Sequence, residues 1–172
     1  MLKRLIAIVG TLLCLGSFGA NAQVPFVLGI WKLNVEASDL PPKLFPAGIK
    51  SEIRSYSERK DGSLIVLALR VNGNGSPDFI QVAVKSDGKD YPQYQSGPLA
   101  DFQARGTTTP FTYSETITGE DTAAITAKWN GTVINKGTRR ISKDGRTMTL
   151  NVVSVLSDGQ EIPIVLVFDK SE

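Results

Sequence analysis

Apolar and polar side chains alternate one by one along most of this chain. In 122–129, Ala123, Ile125, Ala127 and Trp129 share one face of an extended segment, while Thr122, Thr126 and Lys128 share the other. Successive side chains of a strand point to opposite sides, so the first set is expected to face inward. Met148, Leu150, Val152 and Leu156 repeat the pattern further on. Read this way, the chain predicts strands over 27–33, 51–59, 63–71, 78–85, 111–118, 122–129, 132–142, 146–156 and 161–169, with a short one over 100–105.

Seven Asp-Gly or Asn-Gly dipeptides punctuate the runs: Asp61-Gly62, Asn72-Gly73, Asn74-Gly75, Asp87-Gly88, Asn130-Gly131, Asp144-Gly145 and Asp158-Gly159. A two-residue hairpin loop needs positive φ, which Gly adopts freely and Asn or Asp tolerate. The chain therefore reads as a meander of hairpins, all-β and antiparallel. Ten strands in an open sheet would leave two edges inviting aggregation, and pairing the first with the last removes them. The expected fold is an up-and-down β-barrel of about 8–10 strands.

Two segments break the rhythm. Residues 36–49 contain Pro41, Pro42 and Pro46, which do not suit a strand interior. This segment is expected to be a lid or crossover whose Leu40, Leu44 and Phe45 pack over the barrel end, as a ligand gate or as a plug. Residues 91–110 are interrupted by Pro92, Gly97, Pro98 and Gly106. The last strand is apolar on both faces, through Ile162, Ile164, Leu166 and Phe168 on one and Val165 and Val167 on the other, and Leu64 to Leu69 is similar. Such an outward patch suits a homodimer contact or a face covered by the crossover.

Composition narrows the setting. Lys3 and Arg4, the apolar stretch 5–15 and Ala20-Asn21-Ala22 read as a secretory signal over 1–22, leaving a single domain over 23–172 that is exported to a periplasm or secreted. Of the 19 basic residues two leave with the signal, which balances the 17 acidic ones. No basic stripe for nucleic acid and no later membrane-spanning run are apparent. Cys14 is the lone cysteine and there is no histidine. Ser-His-Asp and Cys-His nucleophiles and thiolate or imidazole metal sites are thus excluded from 23–172, and no cofactor or metal is expected.

A carboxylate pair or a Ser-Lys arrangement remains open, but no spacing singles one out. Glu115 shares a face with Phe111, Tyr113 and Ile117. It reads either as a structural ion pair with Arg139 or a rim group, or as an acid–base residue.

Gly29-Ile30-Trp31 on the first strand, a meander of about 150 residues and Arg139-Arg140 on a late strand together resemble the lipocalin, or calycin, superfamily. More narrowly, 29–34, 87–92 and 142–149 are similar to stretches of small exported bacterial lipocalin-like proteins. The chain lacks the Thr-Asp-x-x-Tyr element and the disulfide of typical lipocalins. The resemblance implies that Trp31 closes the barrel floor and that a late-strand Arg packs across its ring, a contact of ~0.5–2 kcal/mol. Alternation selects Arg139 over Arg140 for that role.

The function expected is noncatalytic binding of a small apolar or amphipathic molecule inside the barrel. Trp31, Leu40, Leu44, Phe45, Tyr113, Glu115, Ala123, Ala127, Trp129, Arg139 and Met148 are its candidate lining, and the small Ala123 and Ala127 leave room. Arg139 suits an anionic headgroup as well as it suits Trp31. The alternative is a structural or protein-interaction module with a side-chain-filled barrel.

Overall fold

The computed structural model describes residues 27–96 and 109–171. The expected signal and the expected short strand over 100–105 lie outside the described residues. Ten strands follow in order: β1 (Gly29–Asp39), β2 (Ile49–Glu58), β3 (Leu64–Asn72), β4 (Pro77–Val84), β5 (Tyr91–Gln95), β6 (Phe111–Ile117), β7 (Thr122–Trp129), β8 (Thr132–Ile141), β9 (Thr147–Val155) and β10 (Glu161–Ser171). They form a closed antiparallel barrel in which each strand pairs with its chain neighbours and β1 pairs with β10. There is no helix among the described residues.

The turns show how the sequence sets the meander. Asn130 (φ 47°) and Gly131 (φ 79°) form the two-residue loop that both positive angles allow. Most of the other connections are longer than expected. In five of them the side chain of Asp61, Asn74, Asp87, Asp144 or Asp158 accepts the backbone N–H two residues on, with the Gly between at positive φ. Gly73 does something different: its N–H donates to the Gly48 carbonyl at 3.0 Å, and a Cβ there would lie 1.7 Å from the Ala47 oxygen.

β1 runs six residues past its expected end at Leu33. Its pairing with β10 is interrupted between Asn34 and Asp39, where the Ser38 hydroxyl donates to the Asn34 carbonyl and accepts the Val167 N–H. These bonds let the strand bulge and rejoin at Asp39↔Val165, so the lid shortens to 40–48. Pro163 sits beyond that last β1 partner, where β10 is paired only with β9. β5 occupies the start of the stretch that Pro92 and Gly97 interrupt, and it is the weak member of the barrel. It joins β6 through Tyr91↔Tyr113 and Pro92↔Thr112 alone, with an isolated bridge at Asp87↔Thr116 beyond.

The end of the barrel opposite the lid is a packed floor. Trp31, Leu64, Val84, Ile141, Met148 and Phe168 are fully buried there, and the Trp31 indole N–H donates to the Val27 carbonyl at 2.7 Å. Outside, Val165 is half-buried, whereas Ile53, Leu69 and Phe79 stand exposed side by side in register across β2, β3 and β4. The exposed apolar row is therefore on the early strands rather than on β10.

Candidate functional site

Between the floor and the lid lies a cavity of about 310 Å³. Val66, Val82, Leu150, Val152, Ile164 and Leu166 supply its apolar wall, and Leu44 and Phe45 reach over it from the lid. Tyr56, Tyr113, Gln93, Gln95, Arg54 and Arg70 add polar groups. The lid is shaped by its own backbone: the Leu44 and Phe45 N–H groups donate to the Pro41 carbonyl and the Gly48 N–H to that of Phe45. Lys43 ties it to the β9–β10 turn through Gln160.

The charged groups come from β2 and β3. Alternation turns Glu52, Arg54 and Tyr56 inward, and register places Glu52 opposite Arg70. Glu52 is 2% exposed and accepts from Arg54 Nε at 2.6 Å and from Arg70 Nε at 2.7 Å. Burial alone would raise its carboxyl, but the two guanidinium charges and their hydrogen bonds outweigh that and hold it below the ordinary carboxylate value. Arg54 lies over the Phe168 ring at 5.0 Å and Arg70 over the Phe45 ring at 5.2 Å. The cluster thus links a floor aromatic to a lid aromatic.

The charged pair of a second polar cluster is sealed off from the cavity, with Tyr113 lining the cavity on one side and bonding the pair on the other. Arg139 holds Glu115 through two parallel hydrogen bonds of 2.8 Å, with both side chains 1% exposed. Ser86 and Tyr113 donate to the same carboxylate at 2.9 and 3.3 Å, and the Arg139 guanidinium covers the Tyr56 ring at 5.1 Å. Burial, and then the negative charge of Glu115, push the Tyr113 hydroxyl well above its ordinary pKa. For Arg139 burial works against the charged form, but the carboxylate prevails and keeps the guanidinium ionised.

Of the residues named from sequence, Leu44, Phe45, Tyr113 and Ala127 line the cavity. Leu40 packs on the core beside it. Trp31, Ala123 and Met148 are completely buried and do not line it, because the barrel interior below the cavity is filled by large side chains. Glu115 and Arg139 belong to the sealed cluster, and Trp129 pairs with Phe111 on β6, off the cavity. The Arg139–Trp31 contact implied by the resemblance is replaced. Lys170, the direct cross-strand partner of Trp31, lies over its ring at 5.1 Å, while Arg139 takes the stronger bidentate carboxylate.

Glu52, Arg54, Tyr56, Arg70, Gln93 and Gln95 escaped the sequence reading. The signal was present in 51–57, where Glu52, Arg54 and Tyr56 alternate with Ser51, Ile53, Ser55 and Ser57. A rule that turns the apolar side chain inward points Ile53 to the core, yet Ile53 is 43% exposed and the charged face is the inner one.

No protein-family model matches the chain, and no curated protein matches it by sequence. By shape it is similar to a mutant of the fluorescent protein UnaG, with a TM-score of 0.53 and 12% identity over 87% of this chain and 99% of that one. It is equally similar to Rv2717c from M. tuberculosis, with a TM-score of 0.53 and 13% identity over 87% of this chain and 95% of that one. The fold is a lipocalin-like barrel. At such identities the likeness concerns the fold.

Proposed function

We propose that this lipocalin-like barrel is a noncatalytic binding protein that encloses one small apolar or amphipathic molecule, and that it acts outside the cytoplasm once 1–22 are removed. The observation that carries the reading is the apolar-walled cavity of about 310 Å³ beneath Leu44 and Phe45. Ligand sites are typically concave, mostly apolar and marked by a few convergent polar groups. The carboxylates beside it favour binding over acid–base work: Glu52 and Glu115 are each tied to arginine.

Native mass spectrometry of the protein purified gently from its host, followed by solvent extraction, tests this directly. A stoichiometric small molecule, on a chain beginning at Gln23, is the expected result. A clean ligand-free mass that stays unchanged after exposure to a host lipid extract would overturn the binding reading. It would favour an interaction module working through the exposed Ile53, Leu69 and Phe79.

A further inference from the structure

Two guanidinium groups face the cavity, and among the described residues Glu52 is the one carboxylate within ion-pair distance of either. Both hydrogen bonds to Glu52 use Nε, the side edge of the guanidinium. The terminal nitrogens, which form the fork that matches a carboxylate, are not used by Glu52, and for Arg54 the uncharged Tyr56 hydroxyl is the neighbour there. Arg54 and Arg70 are held in place by Phe168 and Phe45 and are mostly buried, with side chains 14% and 20% exposed. Their positions are therefore fixed before any ligand arrives.

The other charged groups nearby do not cancel this excess. Asp78 is opposite Arg70 in register, but its carboxylate accepts from Asn72 at 2.8 Å and from Ser96 at 3.5 Å and makes no ion pair with Arg70. Lys136 reaches the cavity rim and is paired with Glu161 at 2.6 Å. Arg139 and Glu115 neutralise each other one to one. Among the described residues, one positive charge at the cavity wall is left without a carboxylate at contact distance. A buried charge of this kind is costly unless an anion joins it.

We infer that Arg54 and Arg70 form an anion subsite and that the cavity takes a monocarboxylic amphiphile, its carboxylate at the two guanidiniums and its apolar body along Leu150, Val152, Ile164 and Leu166. The inference rests on the cavity being a ligand site. Its volume of about 310 Å³ leaves room for a small amphiphile beside the two guanidiniums. Gln93 and Gln95, bonded to each other at 2.8 Å on β5, stand across from the arginines as uncharged polar neighbours that do not repel the carboxylate.

The test is a calorimetric titration of the whole protein, stripped of any resident ligand on a hydrophobic resin, with decanoate, decanol and decylamine. Decanoate is expected to bind at least tenfold more tightly than decanol, with decylamine weakest. Arg70→Gln is expected to erase the decanoate advantage while leaving decanol within about twofold. Glu52→Gln, which removes the competing carboxylate, is expected to tighten decanoate further. Equal affinity for decanoate and decanol, or a preference for decylamine, overturns the anion subsite and leaves the cavity reading standing. Failure of all three to bind overturns both. The comparison of the three probes needs no variant, so a misfolded substitution cannot shield the inference.

Discussion

The two polar clusters inside this barrel are built from the same residue types and differ in their balance. Below the cavity, one arginine meets one carboxylate through two parallel bonds, with Ser86 and Tyr113 filling the remaining acceptor sites. Beside the cavity, two arginines share one carboxylate. A cluster whose charges cancel one to one can be shut away from water, even with Arg139 Nε buried without a partner, and its role is to hold β6 and β8 in position. A cluster that leaves a charge over must face something else, and this one faces the cavity. Stoichiometry, more than burial, separates the structural arginine from the binding ones.

The largest effect should come from breaking the balanced cluster. Arg139→Met leaves Glu115 buried without its partner and is expected to cost ~3–5 kcal/mol in denaturant unfolding. A loss below ~1 kcal/mol would mean that water reaches the carboxylate, and the contrast between the clusters would collapse. A smaller effect should appear on acidification. Because the folded-state pKa of Glu52 is depressed, its contribution to stability is complete above the ordinary value of 4.5 and is lost as pH falls through the lower folded value. Glu52→Gln should flatten the acid limb of the stability–pH curve by about 1.4 kcal/mol per unit of that depression. An unchanged limb would show Glu52 to be less tightly held than its two bonds imply. The smallest effect belongs to Phe45→Ala, which removes the ring over Arg70. Its contribution of ~0.5–1 kcal/mol should barely move the melting temperature yet speed release of a bound apolar fluorophore up to about fivefold. No change in release would detach the lid from the unbalanced cluster.

The hairpins were legible because their chemistry is local: an Asp or Asn bonds two residues ahead and a Gly takes the positive φ between. β5 was not, since Pro92 and Gly97 suggest interruption, and only the neighbouring strands make Tyr91–Gln95 a partner. Ala127 was legible by alternation because β7 follows the ordinary apolar-inward rule, and Tyr113 on β6 by the same logic. Arg54 and Arg70 were hidden for the opposite reason, as β2 turns its charged face inward and leaves Ile53 outside. Once that inversion is allowed, the Asp61-Gly62 turn fixes Glu52 against Arg70 without further information. The exchange of Lys170 for Arg139 over Trp31 depended on the register of β1 against β10, which sets Trp31 opposite Lys170 and which neither strand encodes locally.

That end-to-end pairing, set against the two-pair seam between β5 and β6, changes what counts as an end in this molecule. Ile30 and Ser171 are cross-strand partners, so a short linker from Ser171 to Val27 would join the two strands and keep the Val27 carbonyl that accepts the Trp31 N–H. Opening the chain between Ser96 and Thr109 instead would sever no ladder among the described residues. In a circular permutant of that kind the present first and last strands become the centre of one continuous run of hairpins, β6 to β10 followed by β1 to β5, and barrel closure is left to the two new terminal strands.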